Sequence, residues 1–514
     1  MNPIAKLDNQ YVWHPFTQMR DWLQREPIVL VEGQGAVVRD VHGREYLDAN
    51  SSIWTNLHGH RHGKIDAAIR AQLRSVAHTS ALGLANQPAS RLAEQLIKLA
   101  NSPFVGEPGV SALASSNQGT CVNPVLSKVF FSDDGSTAME VALKLAYEFT
   151  RRTRTTSLGK RPQKVGPMRH RKGRDSVHRL LQSGPKFLSL DGAYHGDTIG
   201  AVSLGHIDLF HRSYADLLFG TDKVMAPYCY RCPYNRAKPQ HADARTYRKC
   251  RWECLDQLEH KFKVQKKRGS PYAAFIFEPL IQGAAGMIPQ PEGWLGQAAQ
   301  IARSHGALLI ADEVMTGFGR TGTATVAKSG SGVFACHHEH VQPDFLAVAK
   351  GLTGGYMPMA ATLTTQRVFN AFLGEYKEFK TFFHGHSFTG NQLGAAAALA
   401  SLEILQSSAS IKSRHLLQAA LRRELNELWC HPIVGDIRQV GLIVGIELVK
   451  NWRTREPFHL HEQAGMRVCE AMARAGVLTR PIGNVIVLMP PYCTSPDQVC
   501  QIGATLNKAL AGVA

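Results

Sequence analysis

The chain has 514 residues, of which 44% are hydrophobic and 19% charged, as expected for a globular protein with a large core and more than one domain. Its formal net charge is +17, but residues 151–186 hold twelve Lys or Arg and one acid, Asp175, and contribute +11 of it. This segment is polar, rich in Gly, Pro and Ser, and lacks a nucleic-acid recognition motif, so we interpret it as a solvated insertion. No apolar run is long enough to span a membrane, and the N-terminus has no secretory pattern, so we expect a cytoplasmic protein with reduced thiols.

The first elements predicted along the chain are a hairpin and an amphipathic helix. AVVRDVHGREYLDA alternates apolar and polar residues around a turn at His42 and Gly43. QPASRLAEQLIKLA places Leu92, Leu96 and Leu99 at helical spacing. Residues 101–124, rich in Gly, Pro, Ser and Asn, are predicted to form a loop.

An alternation of strands and helices follows, which predicts an α/β fold with a largely parallel sheet covered on both faces. Short apolar runs mark the strands: Lys128–Phe131, Phe187–Leu190, Ala273–Phe277, Ala307–Ile310 and Phe345–Ala349. Ligands of such sheets bind beyond the carboxyl ends of the strands. After about residue 390, one Ala/Leu helix, two strand patterns and a final helix predict a smaller α+β unit.

A turn of small residues follows the first of these strands. In FFSDDGSTAMEVALKLA, Gly135, Ser136 and Thr137 precede a helix with Val141 and Leu145 on one face. Free backbone N–H groups, hydroxyls and the positive end of a helix dipole bind phosphate. The same residues are also ordinary helix caps, so both interpretations stand on this pattern alone.

Two further segments carry polar groups where a ligand would bind. Tyr194, in LDGAYHGDT, follows a strand and offers an aromatic face to a flat ring, or packs in a loop. The segment HGHSFTGN at 384–391 has glycines and hydroxyls that suit an anion, with Ser387 the first candidate donor, or forms a polar loop.

An acid and a lysine each follow a buried apolar run. Asp312 comes after Ala307–Ala311, so its carboxylate is predicted to be buried and to need a cationic or hydrogen-bonding partner. Lys350 comes after Phe345–Ala349, where desolvation favours the neutral amine that forms imines. Standing alone, Lys350 would be interpreted as a surface lysine.

Four cysteines form a spaced set in the loop 228–254. Cys229, Cys232, Cys250 and Cys254 occur as C-x2-C and C-x3-C pairs, near the spacing of a structural zinc site. They are a weak candidate for metal, and the alternative is a cluster of reduced thiols.

Taken together, these motifs resemble the class III, fold-type-I, pyridoxal-phosphate aminotransferases. The resemblance rests on the order DDGSTAMEVALKLA, AYHGDTIGA, FIFEPLIQGAAGM, LLIADEVMTGFGRTG and AVAKGLTGGYMPMAATL. It implies a large domain at 76–395 with a mainly parallel seven-stranded sheet, which carries the insertion 151–186 and the cysteine loop 228–254. It also implies a small α+β domain built from residues 1–75 and 396–514.

The resemblance also implies a role for each matching residue. Lys350 would bind pyridoxal phosphate covalently and shuttle protons, Asp312 would pair with the pyridine nitrogen, and Tyr194 would stack on the ring and face the substrate. Gly135 and Ser136 would bind the phosphate, with His386 and Ser387 reaching it from the other subunit of a homodimer whose active sites lie at the interface. Substrate contacts are implied for a further set: Phe16, Ile53, Trp54, Gly385 and Arg480.

Within the class, three segments are similar to the aminotransferases of biotin synthesis: WHPFTQM, SSIWTNLHGHRH and TRPIGNVIVLMPPY. That similarity implies transamination of 8-amino-7-oxononanoate to 7,8-diaminononanoate. Phe16, Ile53 and the sequence HGHSFTGNQLG depart from the commoner family pattern and leave the amino donor open between S-adenosylmethionine and lysine. The alternatives are an ω-amino-acid transaminase of the ornithine or 4-aminobutyrate type, and a basic nucleic-acid-binding protein on a degenerate enzyme fold.

Overall fold

A computed structural model of the chain describes residues 1–104, 124–157, 184–322 and 332–513. Its central feature is a seven-stranded sheet in which every strand but β12 runs in the same direction. The spatial order is β4-β12-β11-β10-β7-β5-β6. The strands are β4 Leu126–Ser132, β5 Lys186–Leu190, β6 Asp222–Val224, β7 Tyr272–Phe277, β10 Leu308–Asp312, β11 Phe345–Val348 and β12 Ala360–Thr365. The mainly parallel seven-stranded sheet is confirmed.

Alternate residues of these strands point into two separate cores, as the two-residue repeat of a strand requires. Leu309 and Phe277 face one core, and Ile310 and Ile276 face the other. Helices cover both faces and begin or end where the sequence supplies caps: Asn86 accepts a hydrogen bond from the Ala89 amide at the start of one of them. The helices of this part are Gly63–Ser75, Gln87–Asn101, Gly135–Ser157, Ile199–Leu204, Asp208–His211, Ala244–Tyr247, Glu253–Lys267, Trp294–Ser304, Gln366–Asn370 and Gln392–Gln406.

The two ends of the chain join in a smaller unit. The hairpin predicted around His42 and Gly43 is present, and its second strand pairs in parallel with a strand near the C-terminus, Asp48 lying opposite Leu478. The strands of this four-stranded sheet are β1 Leu30–Gln34, β2 Val37–Asp40, β3 Glu45–Asp48 and β16 Val477–Leu478. The N-terminal helices are Pro3–Tyr11 and Met19–Trp22.

A five-stranded sheet completes the C-terminal part. Its strands are β13 Val434–Val440, β14 Ile443–Asn451, β15 Glu456–Pro457, β17 Pro481–Ile482 and β18 Val485–Leu488. The accompanying helices are Ser408–Glu427, Ala464–Arg474 and Pro496–Ala511. Two short strands, β8 Ile281–Gln282 and β9 Ile288–Pro289, pair with each other. The domain boundary at 395/396 stays a prediction.

The structure describes both ends of the insertion predicted at 151–186. Its first seven residues continue the helix Gly135–Ser157, and its last residue, Lys186, opens β5. Arg152 supports the last turns by donating to Glu148, four residues earlier, at 3.0 Å. Residues 158–183 of the insertion, and most of the loop predicted at 101–124, lie outside the described residues. In the parts of the chain that the structure describes, no helix is both long and apolar enough to cross a membrane.

Candidate active site

A pocket of about 420 Å³ lies at the carboxyl edge of the seven-stranded sheet. Its size is that of a site for a small molecule or cofactor. Six of the predicted site residues line it: Trp54, Gly135, Ser136, Tyr194, Asp312 and Lys350. Because strands β4, β5, β10 and β11 run parallel, the segments that follow them meet at this one edge, although they are far apart in sequence.

The helix that begins at Gly135 presents its N-terminus to this pocket. Asp134 caps the helix by accepting a hydrogen bond from the Thr137 amide at 2.9 Å. A side chain at Gly135 would come within 2.7 Å of Val314, so only glycine leaves room there. The Ser136 hydroxyl accepts a hydrogen bond from the Asp197 amide at 3.2 Å, which joins this turn to the segment after β5. The turn therefore has the free space, amides and dipole of an anion site.

Asp312 is buried at the end of β10 and is held by a histidine that sequence reasoning missed. His195 Nδ1 lies 2.8 Å from Asp312 Oδ2, and the Val314 amide donates to Asp312 Oδ1 at 3.0 Å. His195 is buried, and its Nε2 has no hydrogen-bond partner among the described residues. The pair fixes a carboxylate that faces the pocket. The only signal in the sequence was a histidine beside Tyr194 at a strand end.

Lys350 follows β11 and extends into the same pocket. Burial lowers the pKa of its ammonium below the ordinary value, against the opposing effect of Asp312 and Glu278. Its Nζ lies 4.9 Å from the centre of the Trp54 ring. A lysine whose pKa is lowered, in the same pocket as a buried carboxylate, has the properties needed to form an imine.

Tyr194 lines the pocket together with Ser136 and Asp312. Its hydroxyl donates to Asp197 Oδ2 at 2.7 Å. Burial and this carboxylate raise the pKa of the phenol, so it stays protonated at neutral pH. The ring is thereby held at the pocket wall.

Glu278 is a second residue that sequence reasoning missed. It directly follows β7, it lines the pocket, and its Oε2 accepts a hydrogen bond from the Gly283 amide at 2.8 Å. Burial raises the pKa of this carboxyl to about 7. An acid directly after an apolar strand was the signal used for Asp312, and the same signal would have found Glu278.

The remaining predicted substrate residues do not line the pocket itself. Arg480 donates to the Phe16 carbonyl oxygen at 3.0 Å, so the N-terminal segment and the C-terminal unit meet at the pocket's rim. The Phe16 ring packs at 5.3 Å on Phe210, whose ring is 6.3 Å from Tyr194. Phe210, which sequence reasoning also missed, thus connects this rim to the pocket. Ile53 precedes Trp54 and is exposed.

The segment 384–391 lies near the phosphate end of the pocket but does not line it in one chain. His386 Nδ1 is 3.3 Å from Asp133 Oδ2, and Asp133 does line the pocket. The Ser387 carbonyl accepts a hydrogen bond from His78 Nε2 at 2.9 Å. Gly385 lies in the same segment. Their contribution from a second subunit stays a prediction.

The cysteine loop lies apart from the pocket. Cys229 and Cys254 are buried, Cys232 and Cys250 are half-buried, and all four are free thiols. Arg248 donates to Cys250 Sγ at 3.1 Å. Within residues 1–104, 124–157, 184–322 and 332–513, no group of three or more His, Cys, Asp or Glu side chains is arranged to hold a metal ion.

The residues of the pocket fit pyridoxal phosphate. A helix terminus suited to an anion, a buried carboxylate and an amine with a lowered pKa all line the pocket. These groups match the phosphate, the pyridine nitrogen and the aldehyde of that cofactor.

Comparison with known proteins agrees with this geometry. The model of the aminotransferase class-III family matches residues 19–510. The adenosylmethionine-8-amino-7-oxononanoate aminotransferase of Geobacter sulfurreducens is 42% identical, over 98% of this chain and 96% of the relative. The protein of the same name from Aquifex aeolicus is 39% identical, over 99% of this chain and 97% of the relative.

Two solved structures share the fold along nearly the whole chain. The crystal structure of the Methanocaldococcus jannaschii adenosylmethionine-8-amino-7-oxononanoate aminotransferase is 35% identical, with a TM-score of 0.80 over 99% of this chain and 98% of that one. A PLP-bound amine transaminase from an uncultivated Pseudomonas species is 29% identical, with a TM-score of 0.80 over 98% of this chain and 99% of that one. The chain belongs to the class III aminotransferases and has the fold of the pyridoxal-phosphate enzymes of fold type I.

Proposed function

We propose that this pyridoxal-phosphate-dependent aminotransferase transfers an amino group to 8-amino-7-oxononanoate and forms 7,8-diaminononanoate, a step of biotin synthesis. The observation that carries the proposal is that relatives named for this substrate match the chain along nearly its whole length. The pocket supports the reaction type, because it joins Lys350, Asp312 and the helix terminus at Gly135.

When bound, pyridoxal phosphate supplies an electron sink for the bonds to the substrate's amine-bearing carbon. Asp312, oriented by His195, is the residue that would pair with the pyridine nitrogen and favour its protonated form. Lys350 Nζ, with its lowered pKa, is the group that takes a proton from the substrate carbon and returns it. Gly135 and Ser136, at the helix terminus, would hold the phosphate, and Tyr194 would cover the ring; all three line the pocket.

The proposed substrate contacts lie at the rim. Arg480 offers a guanidinium for the carboxylate of the oxo acid, in exchange for its present bond to the Phe16 carbonyl. Phe16, Ile53 and Trp54 supply apolar surface for the carbon chain, and Gly385 leaves space for it from the neighbouring subunit. S-adenosylmethionine is the proposed amino donor, with lysine as the alternative.

We further propose a cytoplasmic homodimer. A surface beside the pocket carries large exposed apolar side chains of a kind that subunit interfaces bury: Leu82, Leu84, Phe379, Phe383 and Phe388. His78 and Phe388 pack with their ring centres 4.8 Å apart, so the segments that hold these side chains are neighbours. A second copy on this surface would bring a second His386 and Ser387 near the phosphate end.

The test is a donor screen with purified protein loaded with pyridoxal phosphate. Incubated with 8-amino-7-oxononanoate and either S-adenosylmethionine or lysine, the enzyme should form diaminononanoate with ping-pong initial-rate patterns. Lys350→Ala is the matched control and should form none. Absence of diaminononanoate with every donor would overturn the proposed substrate.

The second candidate is an amine or ω-amino-acid transaminase. The structural match to the Pseudomonas amine transaminase favours it. The same screen separates the two, because this candidate predicts amino transfer from simple amines, ornithine or 4-aminobutyrate to small oxo acids and no turnover of 8-amino-7-oxononanoate.

A further inference from the structure

The chain adopts a left-handed turn directly beside the pocket. Ser51, Ser52, Ile53 and Trp54 have φ angles of 47°, 49°, 63° and 70°. L-residues other than glycine disfavour this region, and β-branched residues such as Ile53 most of all. Four such residues in succession persist only where the surroundings hold them.

Asp48 holds the first half of this turn. Its Oδ1 accepts hydrogen bonds from the Asn50 amide at 3.2 Å and the Ser52 amide at 3.1 Å. Its Oδ2 accepts from the Ser52 hydroxyl at 3.2 Å and lies 3.1 Å from His60 Nε2. Asp48 is the last residue of β3 and is buried, so the sheet fixes its carboxylate in place.

The second half of the turn ends in Trp54, which Asn50 holds through both its backbone and its side chain. The Trp54 amide donates to the Asn50 carbonyl at 2.9 Å, and Trp54 Nε1 donates to Asn50 Oδ1 at 2.9 Å. The Ser51 hydroxyl donates to the Met489 carbonyl at 2.7 Å, which ties the turn to the C-terminal unit. The result is a ring face held 4.9 Å from Lys350 Nζ.

We propose that Asp48 is a positioning residue of the aminotransferase site, which holds the left-handed turn Ser51–Trp54 so that the Trp54 indole stays against the amine of Lys350. The indole forms the pocket wall beside the group that moves the proton. Loss of the Asp48 carboxylate frees the turn to return to ordinary backbone angles, and the ring then leaves Lys350. The inference rests on the proposed function in one respect only, because the kinetic measurements use 8-amino-7-oxononanoate as the substrate.

Asp40 provides a matched control in the same sheet. It is buried at the end of β2 and accepts hydrogen bonds from the His42 amide at 2.9 Å, the Arg44 amide at 3.0 Å and the Tyr46 hydroxyl at 2.9 Å. It holds the turn of the β2–β3 hairpin and does not line the pocket. A merely structural role for Asp48 would make the two aspartates behave alike.

The first readout is the environment of Trp54. The chain has seven tryptophans, so the emission of Trp54 is obtained as the difference between each protein and its Trp54→Phe counterpart. In Asp48→Asn, acrylamide should quench this difference emission more strongly than in the wild type, with and without pyridoxal phosphate. Asp40→Asn should lower the melting temperature and leave the Trp54 emission unchanged.

The second readout is a double-mutant cycle. Asp48→Asn should lower kcat/KM about 10- to 100-fold in the wild-type background, as expected for a misplaced group beside the chemistry. In the Trp54→Phe background the same change should lower it by less than about threefold, because the two residues act as one unit. Ser52→Gly, which adopts the left-handed region freely, should restore part of the loss in Asp48→Asn.

The proposal is overturned if Asp48→Asn leaves the quenching of Trp54 unchanged. It is also overturned if Asp48→Asn lowers kcat/KM by the same factor in the Trp54→Phe background as in the wild type. If Asp48→Asn does not fold alone, the same comparison is made in the Ser52→Gly background with the same expected and contradicting results. Failure of the proposed function appears differently, as a wild type that does not turn over 8-amino-7-oxononanoate while the quenching result stands.

Discussion

The edge of the seven-stranded sheet and the rim of the pocket differ in how their residues are held. At the sheet edge, Asp312 is the last residue of β10 and Lys350 lies two residues after β11, and these neighbouring parallel strands bring the two residues together. At the rim, Phe16 and Arg480 lie on segments from opposite ends of the chain and meet through one hydrogen bond. We therefore propose that the sheet edge supplies the chemistry that the class III aminotransferases share, and we expect the rim to determine which substrate is bound. Each of the following predictions tests that division.

The largest effect is expected for Lys350→Ala. Removal of the amine should lower kcat by about 10⁴-fold or more, because both the covalent link and the proton carrier are lost. The visible absorbance of the lysine-bound cofactor should disappear, as measured by absorption spectroscopy of the loaded protein. If Lys350→Ala keeps this absorbance band and most of its activity, the assignment of Lys350 as the cofactor-binding and proton-carrying residue is wrong.

A smaller effect is expected for His195→Gln. Loss of the partner of the buried Asp312 carboxylate costs about 1–3 kcal/mol, so kcat/KM should fall about 10- to 100-fold and cofactor affinity should weaken. His337→Gln is the matched control, since His337 is also buried with one bonded and one unpartnered ring nitrogen. Equal kinetic losses in both variants would show that His195 serves folding alone.

A change at the rim should alter substrate binding rather than the chemistry. In Arg480→Ala the KM for 8-amino-7-oxononanoate should rise about 10- to 100-fold with a smaller change in kcat, because a charged hydrogen bond to the carboxylate is lost. Steady-state kinetics measure this, with the exposed Arg474→Ala as control. A large fall in kcat at constant KM would instead indicate that Arg480 takes part in the chemistry, like the residues of the sheet edge.

The smallest effect concerns stability and pH. Burial raises the pKa of Glu278 from 4.5 to about 7, so the folded protein holds this proton to a higher pH than the unfolded chain. Folding stability from this group therefore falls as pH rises from about 4.5 to about 7. Glu278→Gln has no such proton to lose, so its free energy of unfolding should not fall in this way. Relative to the wild type, the variant should therefore be about 1–3 kcal/mol more favoured at pH 8 than at pH 5. Melting curves of both proteins without cofactor, at pH 5 and pH 8, test this. The prediction is contradicted if the stability difference between variant and wild type is the same at both pH values.

The fold and the sheet-edge residues were predictable because their signals are local. Short apolar runs mark the strands, and a polar residue directly after such a run lies at the carboxyl end of a parallel sheet. Asp312 and Lys350 were found in this way, and Glu278 follows the same rule. Gly135 was found from another local signal, a turn of small residues before a helix. His195 needed knowledge of a partner 117 residues away, which no local pattern supplies.

The rim was less predictable because its contacts join distant segments. Phe210 connects Phe16 to Tyr194 only after the N-terminal segment folds over the pocket. The left-handed turn at Ser51–Trp54 contains no glycine, so its sequence gives no sign of these backbone angles. The seven residues after Thr150 stayed helical since no glycine or proline occurs before Gly159 to end the helix.

The most direct test of the central claim is to find which residue carries the cofactor. The loaded enzyme is treated with borohydride, which reduces an imine to a stable secondary amine, and is then digested and analysed by mass spectrometry. The expected result is one phosphopyridoxyl-modified peptide, with the modification on Lys350. A modification on another lysine, or none in a protein that forms diaminononanoate, would contradict the account.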